Sequence, residues 1–171
     1  FGKAAKTTAR RSVAHIAHDR ELRAAAKRAL RYPVVSLNGV QARAVARGFA
    51  RYIQKSGVVI SACSILPEHV HMVVGRHAER DIEMIGGHLK GRASYFLGEE
   101  ERHPFQKEVG RRGKRPSPWS ESFWQVYLDS RQDIERAVRY VENNPVKVGR
   151  EGQAWWFVES DLHPPRPKGR G

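Results

Sequence analysis

The strongest constraint on the fold is a hairpin pattern in the middle of the chain. Residues 58–66 are apolar and rich in β-branched side chains, which predicts a buried strand. A turn at Pro67 leads into a second predicted strand at residues 70–74, in which successive side chains point to opposite faces. The side chains that can face a core are Val70, Met72 and Val74. The opposite face carries His69 and His71.

The two histidines form a candidate metal site. Side chains at positions i and i+2 of a strand lie on one face, about 6 to 7 Å apart. Two imidazoles at that spacing can share one divalent metal ion. The same pattern is also typical of a half-buried strand with two solvent-facing histidines, and spacing alone leaves both interpretations open.

Around this hairpin, from residue 32 onward, the sequence pattern predicts three helices and two further strands. Apolar residues at helical spacing predict helices at residues 40–55, 82–97 and 131–143, the last ended by Asn144-Pro145. Short apolar segments predict further strands at residues 32–37 and 123–128. The resulting order indicates an α+β fold of the ferredoxin-like sandwich kind, an antiparallel sheet with helices on one face.

Basic residues dominate the charge. The chain has 31 Lys and Arg against 18 Asp and Glu, a formal net charge of +13. Such a balance points to a polyanionic partner, above all nucleic acid. No apolar run approaches a membrane span, so we expect no membrane partner. The single cysteine, Cys63, excludes a disulfide within this sequence and fits a reducing compartment.

Several basic side chains are candidates for contacts with DNA phosphates. They lie on one face of the first predicted helix, on the second helix, and in a charged loop at residues 99–120. In chain order they are Arg43, Arg47, Arg51, Lys90, Arg92, Arg111, Arg112, Lys114 and Arg115. A row of charges is also what the solvent face of an ordinary helix presents, so both interpretations stay open.

A second candidate site lies in the last predicted helix. Tyr140 and Asn144 are four residues apart and share one helix face. If that helix lies against the sheet beside His69 and His71, a phenol and an amide oxygen converge on the metal site. A tyrosine hydroxyl has a pKa of about 10 and needs activation to act as a nucleophile, and most helical tyrosines only pack. Spacing alone does not decide the role of Tyr140.

Two motifs together carry a resemblance to a known family. Residues 67–71, Pro-Glu-His-Val-His, resemble the HUH motif of the single-tyrosine transposases of the insertion-sequence type. Residues 139–149, Arg-Tyr-Val-Glu-Asn-Asn-Pro-Val-Lys-Val-Gly, are similar to the tyrosine helix of their REP-associated branch. Trp119 and residues 123–125 stand where that branch has a tryptophan-rich strand. The resemblance covers residues 32–157.

The resemblance implies an activity and assigns the site residues. Members of the family cut single-stranded DNA through a 5′-phosphotyrosine intermediate, with a metal ion polarising the scissile phosphate. Carried over, Tyr140 is the nucleophile, His69 and His71 are metal ligands, and Asn144 is a further ligand from the turn after the tyrosine. The ion would be Mg²⁺ or Mn²⁺, and two histidines suit Mn²⁺ better. Tyr95 and Tyr127 are the alternative tyrosines.

These assignments complete a set of expectations for the whole chain. Residues 1–31 are expected to form a basic arm and helix, residues 32–158 the catalytic domain, and residues 159–171 a disordered Pro-rich tail. We expect a bacterial, cytoplasmic and nucleoid-associated monomer or homodimer that acts on single-stranded or hairpin DNA. The alternatives are a domesticated, basic nucleic-acid-binding module without catalysis and a replication or conjugation relaxase. Three further histidines, His77, His88 and His103, are alternative metal ligands, but each lies in polar sequence and is expected at the surface.

Overall fold

The computed structural model describes residues 28, 30, 32–110 and 113–159. Regular structure in this part of the chain consists of α1 Gly39–Ser56, β1 Ile60–Ile65, β2 Val70–Val74, α2 Ile82–Glu99 and α3 Arg131–Lys147. The N-terminal arm and helix, Arg111, Arg112 and the tail from residue 160 onward lie outside the described residues. Within those residues, none of the helices has the length and hydropathy needed to span a bilayer.

Local signals in the sequence set both ends of α1. The side chain of Asn38 accepts a hydrogen bond from the Gln41 amide, and the Gln41 side chain accepts one from the Asn38 amide, both at 2.9 Å. This reciprocal capping box satisfies two of the amides that a helix start leaves unpaired. Gly57 ends the helix with a φ of 70°, a left-handed conformation that favours glycine.

The first two helices cross at a point of very close approach. A Cβ placed on Gly48 of α1 would lie 2.7 Å from the backbone nitrogen and Cα of Ala93 in α2. Only a hydrogen atom fits in that space, and Ala93 itself is fully buried. The crossing therefore depends on a glycine in α1 facing a small residue in α2.

The hairpin has two faces that pack against different helices. The Leu66 amide donates to the His69 carbonyl at 2.9 Å and closes the turn. This register places Cys63 opposite Met72 and Ser64 opposite His71. The inner face, with Cys63 and Met72, joins the main core formed with α1 and α2. The outer face carries His71, one position further along β2.

The third helix packs on the outer face of the hairpin. Val138 and Val141 of α3 form a small buried cluster with Ala62 of β1 and Val73 of β2. The α+β class, with an antiparallel sheet and helices packed on it, is confirmed. The expectation that all helices share one face is refined, because α1 and α2 cover the inner face and α3 covers the outer one.

The sheet is narrower than the pattern predicts. In the part of the chain that the structure describes, β1 and β2 form a two-stranded sheet, and residues 32–37 and 123–128 form neither a strand nor a helix. The Leu37 amide makes one hydrogen bond, to the Pro67 carbonyl at 2.8 Å. Side chains hold the second segment, since the Gln125 amide donates to Glu83 at 2.9 Å and the Phe123 ring lies against Gly86. One backbone hydrogen bond holds the first segment and side-chain contacts hold the second, so neither forms a strand ladder with the hairpin.

The C-terminal segment covers the free edge of β1. The Gln153 side chain accepts a hydrogen bond from the Ile65 amide at 2.7 Å and donates one to the Ile65 carbonyl at 2.8 Å. Further along, the Glu159 amide donates to the Ile60 carbonyl at 2.8 Å. A covered edge cannot pair with another chain, so this side of the hairpin is protected from aggregation.

The close helix crossing predicts a large effect of one methyl group. Gly48→Ala should lower the free energy of unfolding by about 2 kcal/mol, because the new Cβ meets rigid backbone. Gly87→Ala in α2 is the matched control, since a Cβ there meets nothing within 4 Å, and it should be neutral or stabilising by up to about 1 kcal/mol. Urea unfolding followed by circular dichroism measures both. Equal stability of the two variants would contradict the crossing.

Candidate active site

The two predicted ligands lie side by side on the outer face of the hairpin. The ring centroids of His69 and His71 are 4.8 Å apart, and the ring planes are nearly perpendicular at 80°. His69, at the turn, is exposed, and His71, in β2, is half-buried. Two imidazole rings this close can direct nitrogen lone pairs at one ion, which is the arrangement that the i, i+2 spacing predicts.

Burial keeps His71 neutral. Loss of solvent around the ring, and then the neighbouring charge of His69, lower the pKa of His71 from 6.5 to about 4. Both causes act against the imidazolium form. At neutral pH the ring therefore has an unprotonated nitrogen, which is the form of imidazole that binds metal ions.

The third helix brings Tyr140 against the same histidines. The Tyr140 ring centroid is 5.6 Å from that of His71, with the planes at 87°. The Tyr140 side chain stays 45% exposed, so its hydroxyl is open to a polymer substrate. The prediction that this helix lies beside the histidine strand thus agrees with the structure, and the three rings form one continuous cluster.

Two buried polar side chains lie on the same elements. Asn144, one turn after Tyr140, is only 7% exposed, and its side-chain nitrogen has no hydrogen-bond partner among the described residues. Ser64, which pairs with His71 in the hairpin, is fully buried, and its hydroxyl is also unpaired there. Unpaired buried polar groups are costly. Both lie on the elements that carry the three rings, Ser64 on β1 opposite His71 and Asn144 on α3.

The donor set around the histidines suits a metal ion that also accepts oxygen ligands. No group of three or more His, Cys, Asp or Glu side chains in the described chain is placed to hold an ion. The two imidazoles would therefore need an amide, water or phosphate oxygen to complete the coordination. Asn144, one turn after Tyr140 on α3, is the residue that the resemblance assigns to this role. A mixed nitrogen and oxygen set of this kind fits Mn²⁺ better than Mg²⁺.

The helix that carries Tyr140 is longer than predicted. It continues through Pro145 to Lys147 instead of ending at Asn143. A proline in the last turn loses only one backbone hydrogen bond, and the Gly149 and Arg150 amides close the end on the carbonyls of Val146 and Pro145. The extra turn places Lys147 over the Tyr140 ring, with its ammonium 4.6 Å from the ring centroid.

Lys147 and Ser64 are the residues of this cluster that the sequence patterns missed. Lys147 is seven residues after Tyr140 and shares its helix face, a relation hidden by the premature end predicted for the helix. Ser64 follows from the hairpin register, which a two-residue turn at Pro67-Glu68 would have predicted. Neither signal required the tertiary structure.

The other tyrosines and histidines lie elsewhere. Tyr95 and Tyr127 are 53% and 60% exposed, and the Tyr95 ring packs on Phe96 with the centroids 5.8 Å apart. His88 is exposed and stacks on Tyr52 at 5.3 Å. The surface prediction for His103 is wrong, because that ring is 7% exposed and accepts a hydrogen bond from the Phe105 amide at 3.2 Å. It supports the loop that follows α2.

The predicted DNA-contacting cations fall into two groups. Two of them have partners within the fold. Arg47 forms a bidentate ion pair with Glu100, with Nε 2.7 Å from the carboxylate, and Lys90 donates to the Ser120 carbonyl at 2.9 Å. Of the predicted cations, those exposed in the described chain are Arg43, Arg51, Arg92, Lys114 and Arg115. Arg111 and Arg112 lie in the gap of the description.

The tryptophan side chains also differ in exposure. Trp119 is half-buried against the main core, and its indole nitrogen donates to the Ser94 hydroxyl at 2.9 Å. Trp124 is 50% exposed and Trp156 is 63% exposed. Trp156 lines an open groove with Arg51 and Phe96. Trp119 thus supports the fold, and the exposed rings remain available for stacking.

The low pKa of His71 predicts a measurable titration. In the metal-free protein, His71 should take up its proton near pH 4, and stability should fall as the pH drops from 6.5 toward 4, because the unfolded chain binds the proton first. His69→Ala should raise the midpoint of His71, since it removes the repelling charge. Nitrogen-15 NMR of the imidazole measures both. A midpoint near 6.5 would contradict the described burial.

Comparison with known proteins identifies the family. The family model of IS200-like transposases matches residues 26–144, a range that contains both histidines and Tyr140. Searches of curated proteins and of solved structures returned no match. The matched range covers most of the chain and all three members of the ring cluster. The chain belongs to the IS200-like transposase family.

Proposed function

We propose that this transposase cleaves single-stranded DNA and transfers the strand through a 5′-phosphotyrosine link at Tyr140. The observation that carries the proposal is the contact of Tyr140 with His71, and of His71 with His69, on one face of the hairpin. The family match supports DNA transposition as the setting. The similarity of residues 139–149 to the REP-associated branch favours hairpin-bearing DNA as the substrate.

The proposed cleavage step balances without an external energy source. The Tyr140 oxygen forms a bond to phosphorus, and the bond from phosphorus to the 3′ oxygen breaks. The phenol gives up its proton to water, and the departing oxygen takes up a proton to become a free 3′-OH. One phosphodiester replaces another, so attack by a 3′-OH on the tyrosine ester reverses the step and joins the strand to a new end without ATP.

The protein side chains divide the work of this step. His69 and His71, with Asn144, would hold a divalent ion, Mn²⁺ or Mg²⁺, and the ion when bound supplies Lewis-acid stabilisation of the phosphate charge. His71 is kept neutral by burial, so it is ready as a ligand at physiological pH. The packing of α3 fixes the Tyr140 backbone. The hydroxyl therefore has fewer positions available relative to the phosphorus atom that it attacks.

The exposed cations are proposed to hold the remainder of the strand. Arg43, Arg51 and Arg92 lie on α1 and α2, and Lys114 and Arg115 lie in the loop after α2. Phosphate contacts of this kind are not sequence-specific, and they lose strength as salt rises. Unpaired bases can stack on exposed aromatic rings such as Trp124.

A second candidate function is nucleic-acid binding without catalysis. The observation that favours it is the lack of a third His, Cys, Asp or Glu ligand near the histidine pair in the described residues. Such a module would keep the basic surface and lose the covalent step. The alternative gives no reason for a tyrosine, two imidazoles and a buried amide to gather on one face, so we rank it second.

The tyrosine assignment predicts a selective loss. Tyr140→Phe should abolish the covalent protein–DNA adduct and leave DNA affinity nearly unchanged, because only the nucleophilic oxygen is removed. The assay incubates labelled single-stranded hairpin DNA with Mn²⁺ and separates products on a denaturing gel. Tyr95→Phe, at an exposed tyrosine on α2 whose ring packs on Phe96, should retain the adduct. Cleavage by Tyr140→Phe would contradict the assignment, and binding without any wild-type adduct would favour the second candidate.

The metal assignment predicts a coupled loss. His71→Ala should weaken Mn²⁺ binding at least tenfold and should stop cleavage, because one of two imidazole ligands is missing. His88→Ala is the matched control on α2, where the ring stacks on Tyr52, and should bind Mn²⁺ as the wild type does. Isothermal titration calorimetry gives the affinities. Unchanged Mn²⁺ affinity in His71→Ala would mean that the ion binds elsewhere.

A further inference from the structure

The ammonium of Lys147 lies directly beside the proposed nucleophile. Its Nζ is 4.6 Å from the centroid of the Tyr140 ring, within the range of a cation–π contact. Both residues are on α3, and both are exposed to solvent. The position depends on the continuation of the helix through Pro145, because an earlier end would have released Lys147 from the face that carries Tyr140.

Among the described residues, no acidic side chain forms an ion pair with Lys147. The ion pairs of α3 in the described chain join Arg131, Arg136 and Arg139 to Asp133 or Glu135, near the start and middle of the helix. A surface lysine usually reaches water or a carboxylate, and this one instead rests on the face of an aromatic ring. Its charge is thus held near the tyrosine, and no side chain or backbone group of the described residues accepts a hydrogen bond from its ammonium group.

The geometry points to Lys147 as the side chain that binds the scissile phosphate next to Tyr140. This inference rests on the function proposed above and adds a residue to it. The substrate group is a DNA phosphodiester, whose non-bridging oxygens are negatively charged and accept hydrogen bonds from an ammonium group. The ring holds the ammonium in the free protein, and the flexible four-carbon stem lets it move to the phosphate when DNA binds.

A cation at this point acts on both stages of the reaction. Negative charge increases on the phosphate oxygens as Tyr140 attacks, so a donor already in place lowers the barrier. After the step, the phosphorus atom remains linked to Tyr140 as a charged diester, and the same ammonium still neutralises it. Lys147 would thus hold the phosphate before and after transfer, from the side of the nucleophile and not from the side of the histidines.

A structural role for the same residue makes a different prediction. Lys147 is in the last turn of α3, where a positive charge interacts favourably with the helix dipole. That role would be shared by any cation at the end of the helix and would not affect phosphate binding. Arg150, exposed just beyond the helix, provides the comparison because its charge can be removed at nearly the same place.

The test compares Lys147→Met, Lys147→Arg and Arg150→Met with the wild type. Single-turnover cleavage at saturating DNA should slow by about 10- to 100-fold in Lys147→Met, recover largely in Lys147→Arg, and stay unchanged in Arg150→Met. The salt dependence of binding to short single-stranded DNA is the second readout. In Lys147→Met the slope of log affinity against log salt should fall by about 0.7, the value of one phosphate contact on a single strand.

The cleavage rate and the salt slope distinguish a failure of this inference from a failure of the proposed function. An unchanged salt slope in Lys147→Met would overturn the phosphate contact whether or not the protein cleaves DNA. Equal rate losses in Lys147→Met and Arg150→Met would also overturn it, because they would show a general effect of charge at the helix end. A wild type that binds but forms no adduct would defeat the proposed function, and the slope would still decide the role of Lys147.

Discussion

The whole site depends on the packing of α3 against the outer face of the hairpin. Val138 and Val141 bury themselves on Ala62 and Val73, a cluster of four side chains. Burial of each valine contributes about 1.5 to 3 kcal/mol, which is enough to fix the helix but small in absolute terms. The small side chain of Ala62 lets the helix come close to the strand. Without this contact, Tyr140 would have no fixed relation to the histidines.

Side chains alternate between the two faces of the hairpin, so one face packs in the main core and the other carries the residues of the candidate site. Odd and even positions of β2 face different layers, so Met72 joins the main core while its neighbour His71 faces α3. The outer layer has a small hydrophobic cluster and several polar groups, including the Ser64 hydroxyl and the Asn144 side-chain nitrogen, which have no hydrogen-bond partner in the described chain. Because these buried groups are unpaired, they lower the stability of the fold, as is common at functional sites.

Local sequence signals predicted individual helices and strands, whereas the arrangement of these elements depends on tertiary contacts. The capping box and Gly57 make α1 readable from sequence, and alternation makes β2 readable, because both depend on near neighbours. The segments at residues 32–37 and 123–128 have strand-like composition, yet side-chain contacts hold them outside the ladder, which no local pattern records. Spacing paired His69 with His71 and Tyr140 with Asn144. Spacing did not predict that the two pairs lie together, because this depends on the packing of α3 against the hairpin. It also did not predict the helical turn beyond Pro145 that brings Lys147 to Tyr140.

The most direct test of this arrangement is the paramagnetic effect of Mn²⁺ on the NMR spectrum of the wild type. A bound Mn²⁺ ion broadens the signals of nuclei around it, so the pattern locates the ion without reference to activity. If α3 docks as described, substoichiometric Mn²⁺ should broaden first the signals of His69 and His71 together with those of Tyr140 and Asn144, while His88 on α2 stays sharp. Broadening centred on His88, or confined to the hairpin with α3 unaffected, would contradict the assembly of a single site from the two elements.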